Sequence, residues 1–180
     1  DKGVNPDDII LGDKNAIMLA TRLLGYGKEY TVEMLDSEET KHKVVVDLST
    51  VQTKEIDITT LNPENTYKFT TPFGKNELEF KYLTHGDVKA LAKFNKGGTS
   101  SELTTRYRYM IKSVDGESDT KSIVHFINNK FLARDTRAFR DFVKANQPDM
   151  KMEFNYIDPE SGEEEVRSIP MGVGFFWPSE

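Results

Sequence analysis

Apolar residues near the start of the chain recur at helical spacing. The pattern predicts a helix that begins at Asp13 or Asn15 and ends at Gly25-Tyr26-Gly27, because short polar residues cap helices and glycine terminates them. The apolar residues that recur at this spacing are Ala16, Ala20, Leu23 and Leu24.

Three later parts of the chain show the alternation of apolar and polar residues that is typical of strands. Each part contains two such runs separated by turn residues, and each therefore predicts a β-hairpin. The predicted strands lie at residues 30–34, 44–48, 67–69, 78–82, 152–156 and 163–167. The predicted hairpin tips lie at residues 36–40, 71–75 and 158–162.

The stretch between the second and third hairpins is predicted to be helical. Thr84 and Asp87 have the spacing of a capping box, and they predict the start of the first of four helices. A glycine- and serine-rich linker at residues 97–101 separates it from the second helix. That second helix is predicted to end at Asp115-Gly116-Glu117 and to present one apolar face, formed by Leu103, Tyr107, Met110, Ile111 and Val114.

The third helix of this stretch is predicted to begin near Asp119. The fourth is predicted to be capped by Asp135 or Thr136 and to end before Gln147-Pro148. Strands, then helices, then strands is an α+β order. We therefore expect antiparallel β-hairpins flanking a small helical bundle.

Three segments follow from this order. Residues 1–83 hold a helix and two hairpins, residues 84–148 form a helical lobe, and residues 149–180 form a hairpin and an aromatic tail packed on the rest. A single compact domain is the alternative, since 180 residues suit either arrangement.

Composition excludes several classes of protein. The chain has no cysteine, which excludes disulfides, Cys-ligated metals and a thiol nucleophile. The net charge of −6 argues against a general nucleic-acid binder, and no apolar run is long enough to span a membrane. The first residues show no signal peptide. Because the chain lacks an initiator Met, we expect a longer parent protein.

The usual catalytic and nucleotide-binding motifs are missing from the sequence, so no cofactor, metal site or catalytic residue is predicted. One enzyme alternative stays open: a hydrolytic or metal-dependent site built on His85, Asp87 and the acidic hairpin tips. The tip carboxylates at residues 38–39 and 163–165 are adjacent on strands or turns, where neighbouring side chains point to opposite faces. A solvated strand edge explains them better.

Basic residues interleaved with aromatic ones leave a second alternative, a nucleic-acid-binding module. It would use Arg106, Arg108, Arg137 and Arg140. Asp141 lies four residues after Arg137, so an ion-paired helix face is the favoured interpretation, and no nucleic-acid partner is expected.

The chain ends in an unusual aromatic tail formed by Phe175, Phe176 and Trp177. These three side chains are expected either to pack into their own lobe or to anchor a partner, because aromatic residues dominate the energetics of protein interfaces.

Seven short motifs, taken in order, carry a resemblance. They are DIILGDK (residues 8–14), GYGKEY (25–30), VDLS (46–49), LTHGD (83–87), LARDTR (132–137), IPM (169–171) and FFWP (175–178). In this order and spacing the chain resembles the baseplate hub subunits and hub-assembly chaperones of T-even-like contractile-tailed phages, over about residues 8–178.

The resemblance implies a non-catalytic structural protein or chaperone in phage tail assembly. Its expected partners are other baseplate hub or tail proteins, with homo-oligomers also compatible, and its expected location is the virion tail baseplate or the host cytoplasm during assembly. The residues expected to contact partners are Leu11, Gly12, Asp13, Phe175, Phe176 and Trp177.

Many members of that family carry cysteine knuckles at both hairpin tips and an N-terminal segment ahead of this region. Here Asp158 and Ser161 stand in the cysteine places of one tip, and the other tip also lacks a thiol. The resemblance therefore implies the turn geometry of the knuckles without zinc chemistry. It also implies that an N-terminal segment is absent from this chain.

Overall fold

The computed structural model describes residues 3–36, 38–95 and 102–176. It confirms the predicted fold class, since these residues form α-helices and small antiparallel sheets. The helices are α1 (Leu11–Tyr26), α2 (His85–Asn95), α3 (Glu102–Met110), α4 (Thr120–Asn129), α5 (Ala133–Asn146) and α6 (Val173–Phe176). The strands are β1 (Glu29–Leu35), β2 (Lys41–Asp47), β3 (Tyr67–Thr70), β4 (Glu77–Phe80), β5 (Ile111–Val114), β6 (Glu153–Ile157) and β7 (Glu164–Ser168).

Two compact units are present, and each is built from two separate stretches of chain. The first unit holds the described parts of Asp1–Lys14 and Glu55–Gln147, and the second holds those of Asn15–Lys54 and Pro148–Glu180. The three predicted segments, by contrast, each follow one continuous stretch. No helix among the described residues is long and apolar enough to cross a membrane.

The first unit combines a three-stranded antiparallel sheet, in the order β3-β4-β5, with helices α2 to α5. The predicted second hairpin is confirmed with Phe69 opposite Leu78, although its second strand ends at Phe80 and does not reach Tyr82. Phe80 and Phe139 are fully buried, and their rings meet edge to face at 5.0 Å. This aromatic packing holds α5 against the sheet.

The second helix of the predicted helical stretch was predicted to be too long. It ends at Met110, and Ile111–Val114 is strand β5, which pairs with β4 through Leu78 and Val114. The strand is followed by a tight turn in which Asp115 and Gly116 both have positive φ. Ile111 and Val114 are buried, as predicted, but on a sheet, because pairing with β4 provides the backbone hydrogen bonds that a helix would otherwise make.

Helix starts agree with the prediction at two places and differ at two others. The Thr84–Asp87 capping box is confirmed, and Asp119 caps α4 by accepting a hydrogen bond from the Ser122 N–H at 3.0 Å. Helix α5 begins after Leu132, which provides no side-chain cap. Helix α1 begins at Leu11, where the backbone N–H donates to the Leu83 carbonyl. Both differences arise because contacts distant in sequence define these starts.

The second unit contains most of α1, the β1–β2 and β6–β7 hairpins and α6. The first and third predicted hairpins are confirmed, with Val32 opposite Val44 and Phe154 opposite Arg167. Backbone hydrogen bonds between residues 52–54 and 149–151 tie the two stretches of this unit together. Its core is formed by Leu19, Tyr30, Val32, Val46, Leu48, Ile169 and Phe175.

Candidate protein-interaction site

The Leu11-Gly12-Asp13 segment, predicted to contact partners, forms the first turn of α1. Leu11 is partly buried against the core of the first unit, and Gly12 is buried. Asp13 is exposed. Of this predicted set, Asp13 therefore offers an open side chain to a partner.

The two described rings of the aromatic tail, Phe175 and Phe176, belong to the core of the second unit. Phe175 has no exposed surface and packs edge to face on Tyr30, with ring centroids 5.1 Å apart. Phe176 is partly buried against the same core, and Trp177 lies outside the described residues. Phe175 thus packs into its own lobe, which is one of the two arrangements expected for the tail.

Helix α1 carries an exposed apolar stripe, part of which lies among the residues that recur at helical spacing in the sequence. Leu24 is 89% exposed and Ile17 is 52% exposed, with exposed Ala20 between them. Spacings of three and four residues place these side chains on one face of the helix, within the second unit. We call Ile17, Ala20 and Leu24 the α1 face.

The core-facing side of α1 explains this exposure. Leu19 and Leu23 pack into the second core from the opposite side of the helix, while Ala20 and Leu24 are exposed to solvent. Arg22 lies on that inner side, 97% removed from solvent, and donates to the Glu29 carbonyl at 3.1 Å. Its guanidinium lies over the ring of Tyr26, 4.8 Å from the centroid. A helix with apolar residues on two sides leaves one side open when the other is buried.

The side chains of the enzyme alternative take part in local structure. His85 Nδ1 lies 3.0 Å from Lys14 Nζ, while Asp87 accepts hydrogen bonds from Lys81 Nζ and from the N–H of Thr84. Among the described residues, no three His, Asp or Glu side chains come together in a group able to hold a metal ion.

The two acidic hairpin tips of the second unit are built around buried carboxylates. Asp36 accepts hydrogen bonds from the N–H groups of Glu38 and Thr40, and Asp158 accepts them from Glu160 and Ser161. Both side chains thus satisfy the amides of their own turns.

His42 adds a further contact at the first tip, since its Nε2 lies 2.6 Å from Asp36 Oδ2. Burial alone would raise the pKa of the Asp36 carboxyl, but hydrogen bonds from Thr40, His42 and Glu38 outweigh it and hold that pKa below its usual value. At neutral pH the Asp36 carboxylate is therefore charged and available to the amides of its turn.

The arginines of the nucleic-acid alternative are in different environments. Arg106 and Arg140 are exposed, and their charges oppose the rise in the pKa of Tyr107 that burial causes. Arg137 faces Asp141 at 3.8 Å, as predicted, and Arg108 is partly buried. Of these four arginines, Arg106 on α3 and Arg137 and Arg140 on α5 are exposed.

Comparison of the chain with protein-family models, with curated proteins and with solved structures finds no match. The α1 face is consequently selected as the candidate site on its geometry alone.

Proposed function

We propose that this chain is a baseplate hub component or hub-assembly factor of a contractile phage tail, acting through protein–protein contacts and without catalysis. The observation that carries the proposal is the α1 face, where Ile17 and Leu24 expose large apolar side chains on a helix whose other side is fully used by the core. The ordered motifs of the sequence resemblance support the choice of partner.

The physical argument for a contact surface rests on the hydrophobic effect. Burying a leucine or isoleucine side chain gains about 1.5–3 kcal/mol, so a partner that covers Ile17 and Leu24 gains a large part of a specific binding energy. Scattered single apolar residues are normal on protein surfaces, but Ile17 and Leu24 lie on one face of the same helix with exposed Ala20 between them.

The hydrogen bonds that the buried carboxylates accept support a structural role for the protein. Asp36, Asp135 and Asp158 are each nine-tenths or more buried, and each accepts hydrogen bonds from backbone N–H groups. A carboxylate occupied in this way fixes a turn, whereas a general acid or base must reach a substrate.

Co-expression tests the proposal. The tagged chain, produced together with the baseplate hub proteins encoded by the same genome, is expected to co-purify with at least one of them. Ile17→Lys and Leu24→Lys are expected to reduce that recovery, while Ile58→Lys, at another highly exposed apolar position, is expected to leave it unchanged. Absence of any complex with the hub proteins would overturn the proposal.

Mass spectrometry of purified phage particles then separates the two forms of the proposal. A subunit of the hub stays in the particle at a fixed ratio to the other hub proteins. An assembly factor is found with the hub proteins in infected cells and not in the finished particle.

A further inference from the structure

Charge is unevenly distributed along the chain. Residues 102–147 contain nine Lys and Arg against six Asp and Glu, whereas residues 148–176 contain two against seven. The first stretch belongs to the first unit and the second to the second unit. Within a protein of net charge −6, residues 102–147 thus carry an excess of positive charge and residues 148–176 an excess of negative charge.

A basic surface is formed by exposed side chains of α3 and α5. Arg137, Arg140 and Lys144 follow one face of α5 at spacings of three and four residues, and Arg106 of α3 shares with Arg140 the surroundings of Tyr107. We call Arg106, Arg137, Arg140 and Lys144 the basic face.

An apolar groove adjoins the basic face at Arg106. It has a volume of about 290 Å³ and is walled mainly by aliphatic side chains, with the charged Glu102 and Arg106 also lining it. The aliphatic residues are Leu11, Leu83, Val88, Leu91 and Ala92. A ligand that suits this surface combines aliphatic side chains with negative charge.

The β6–β7 hairpin has that combination. Ile157 is 65% and Val166 is 62% exposed, and the register places them diagonally on the outer side of the hairpin, with Glu164 directly opposite Ile157. Glu163 and Glu164 are exposed and form no ion pair with the described residues. The hairpin therefore presents an aliphatic pair beside unpaired carboxylates.

We propose that the β6–β7 hairpin of one copy of this chain docks on the basic face and groove of a second copy. Ile157 and Val166 enter the groove, and Glu164, on the same side of the hairpin, faces Arg106 and Arg140. Glu163, just before the strand, adds negative charge beside it. Charge complementarity between two surfaces of the same chain selects this occupant. The two surfaces differ, so the contact is heterologous, and each copy keeps one free surface that can add another copy or close a ring.

Sedimentation velocity over a range of protein concentrations tests the proposal. The wild-type chain is expected to associate at about 50 mM NaCl and to dissociate at about 500 mM, because salt screens the exposed charges. Arg106→Gln with Arg140→Gln, and separately Glu163→Gln with Glu164→Gln, are each expected to raise the dissociation constant at least about tenfold. The matched control is Lys121→Gln with Lys130→Gln. It neutralises two exposed lysines, one in α4 and one at its C-cap, and is expected to associate normally.

Mixing the two neutralised variants provides the sharper result. Each keeps one surface intact, so an equimolar mixture is expected to form dimers that do not grow further, although neither variant associates alone. Recovery of these dimers also shows that both variants are folded.

Several results would overturn the proposal. They are a wild-type chain that stays monomeric at low salt, association that salt does not weaken, a mixture that forms no dimer, and a control as defective as the arginine variant. A different outcome would assign the basic face to nucleic acid. In that case the wild-type chain stays monomeric and binds a single-stranded oligonucleotide tightly and in a salt-sensitive way, and the arginine variant loses this binding. Ile17→Lys and Leu24→Lys are expected to keep self-association, so this proposal and the hub proposal fail separately.

Discussion

At the scale of single residues, buried carboxylates organise the backbone. Asp135, on α5, is 1% exposed and accepts hydrogen bonds from the N–H groups of Phe73 and Gly74, both at 2.8 Å. The sequence predicted Asp135 only as one of two possible helix caps. Its actual partners lie about sixty residues earlier in the chain, and no local pattern indicates such a distant pairing.

Replacement of Asp135 tests this role. Asp135→Ala leaves the N–H groups of Phe73 and Gly74 without their acceptor, and we expect a loss of about 2–4 kcal/mol in the free energy of unfolding. Asp135→Asn keeps part of the acceptor capacity and is expected to lose less. Asp141→Ala, which removes an exposed i,i+4 partner on the same helix, is expected to change stability by less than about 0.5 kcal/mol. Urea denaturation measures all three, and equal losses for Asp135→Ala and Asp141→Ala would contradict the assignment.

Asp47 provides a test with pH. Hydrogen bonds from the Ser49 side chain, Lys28 and the Ser49 N–H lower the pKa of Asp47 from 3.8 to about 2. A carboxyl with a lower pKa in the folded state stabilises the fold above its unfolded pKa and loses that effect as pH falls through the folded pKa. The stabilisation should therefore be complete above pH of about 5 and decline towards about 2.

The variant Asp47→Asn isolates this effect. The difference in thermal midpoint between wild type and Asp47→Asn is expected to be largest near neutral pH and to shrink below pH of about 4. A difference that stays constant with pH would show that the charge on Asp47 does not contribute.

At the scale of elements, the sequence predicted an element correctly where the contacts that form it lie close together in the chain. The β1–β2 hairpin was predicted correctly, because the alternation of Tyr30 and Val32 on one strand and Val44 and Val46 on the other is complete within twenty residues. Strand β5 was missed because its partner β4 lies more than thirty residues earlier. A run of four residues has no period that separates a strand from the last turn of a helix.

The sequence pattern also could not identify the α1 face as the candidate site. Its residues repeat at helical spacing in the sequence, but so do Leu19 and Leu23 on the other side of the helix. Periodicity identifies two apolar faces and cannot decide which one the core covers. The side of α1 that is buried is the one that packs against the strands of the second core.

Two glycines allow the element boundaries to be tested with the same substitution. Gly116 has φ of +85° in the turn after β5, so Gly116→Ala is expected to cost about 1 kcal/mol of stability. Gly25 lies within α1 with no atom near the position of an added Cβ, so Gly25→Ala is expected to stabilise by up to about 1 kcal/mol. Chemical denaturation of both variants checks these opposite signs, and a shared sign would contradict the assigned boundaries.

At the scale of the whole molecule, the described residues form two hydrophobic cores. Phe139 belongs to the cluster of the first unit and Phe175 to that of the second, and both are fully buried. The sequence placed the apolar residues in strands and helices. It left open whether Phe175 packs inward, because nothing local to the tail specifies Tyr30 as its partner.

Truncation of either ring should affect its own core most. Phe139→Ala and Phe175→Ala are each expected to lose about 3–5 kcal/mol. Hydrogen exchange measured by mass spectrometry should show the larger loss of protection in β3–β4–β5 for Phe139→Ala and in β1–β2 for Phe175→Ala. The same exchange profile for both variants would contradict the division into two cores.

The central claim is that the α1 face binds a baseplate hub protein. The most direct measurement is the dissociation constant between the purified chain and the hub protein that co-purifies with it, for wild type, Leu24→Lys and Ile58→Lys. Loss of one buried leucine predicts a dissociation constant about 10–100 times higher for Leu24→Lys and an unchanged one for Ile58→Lys. Equal binding by all three proteins would contradict the claim.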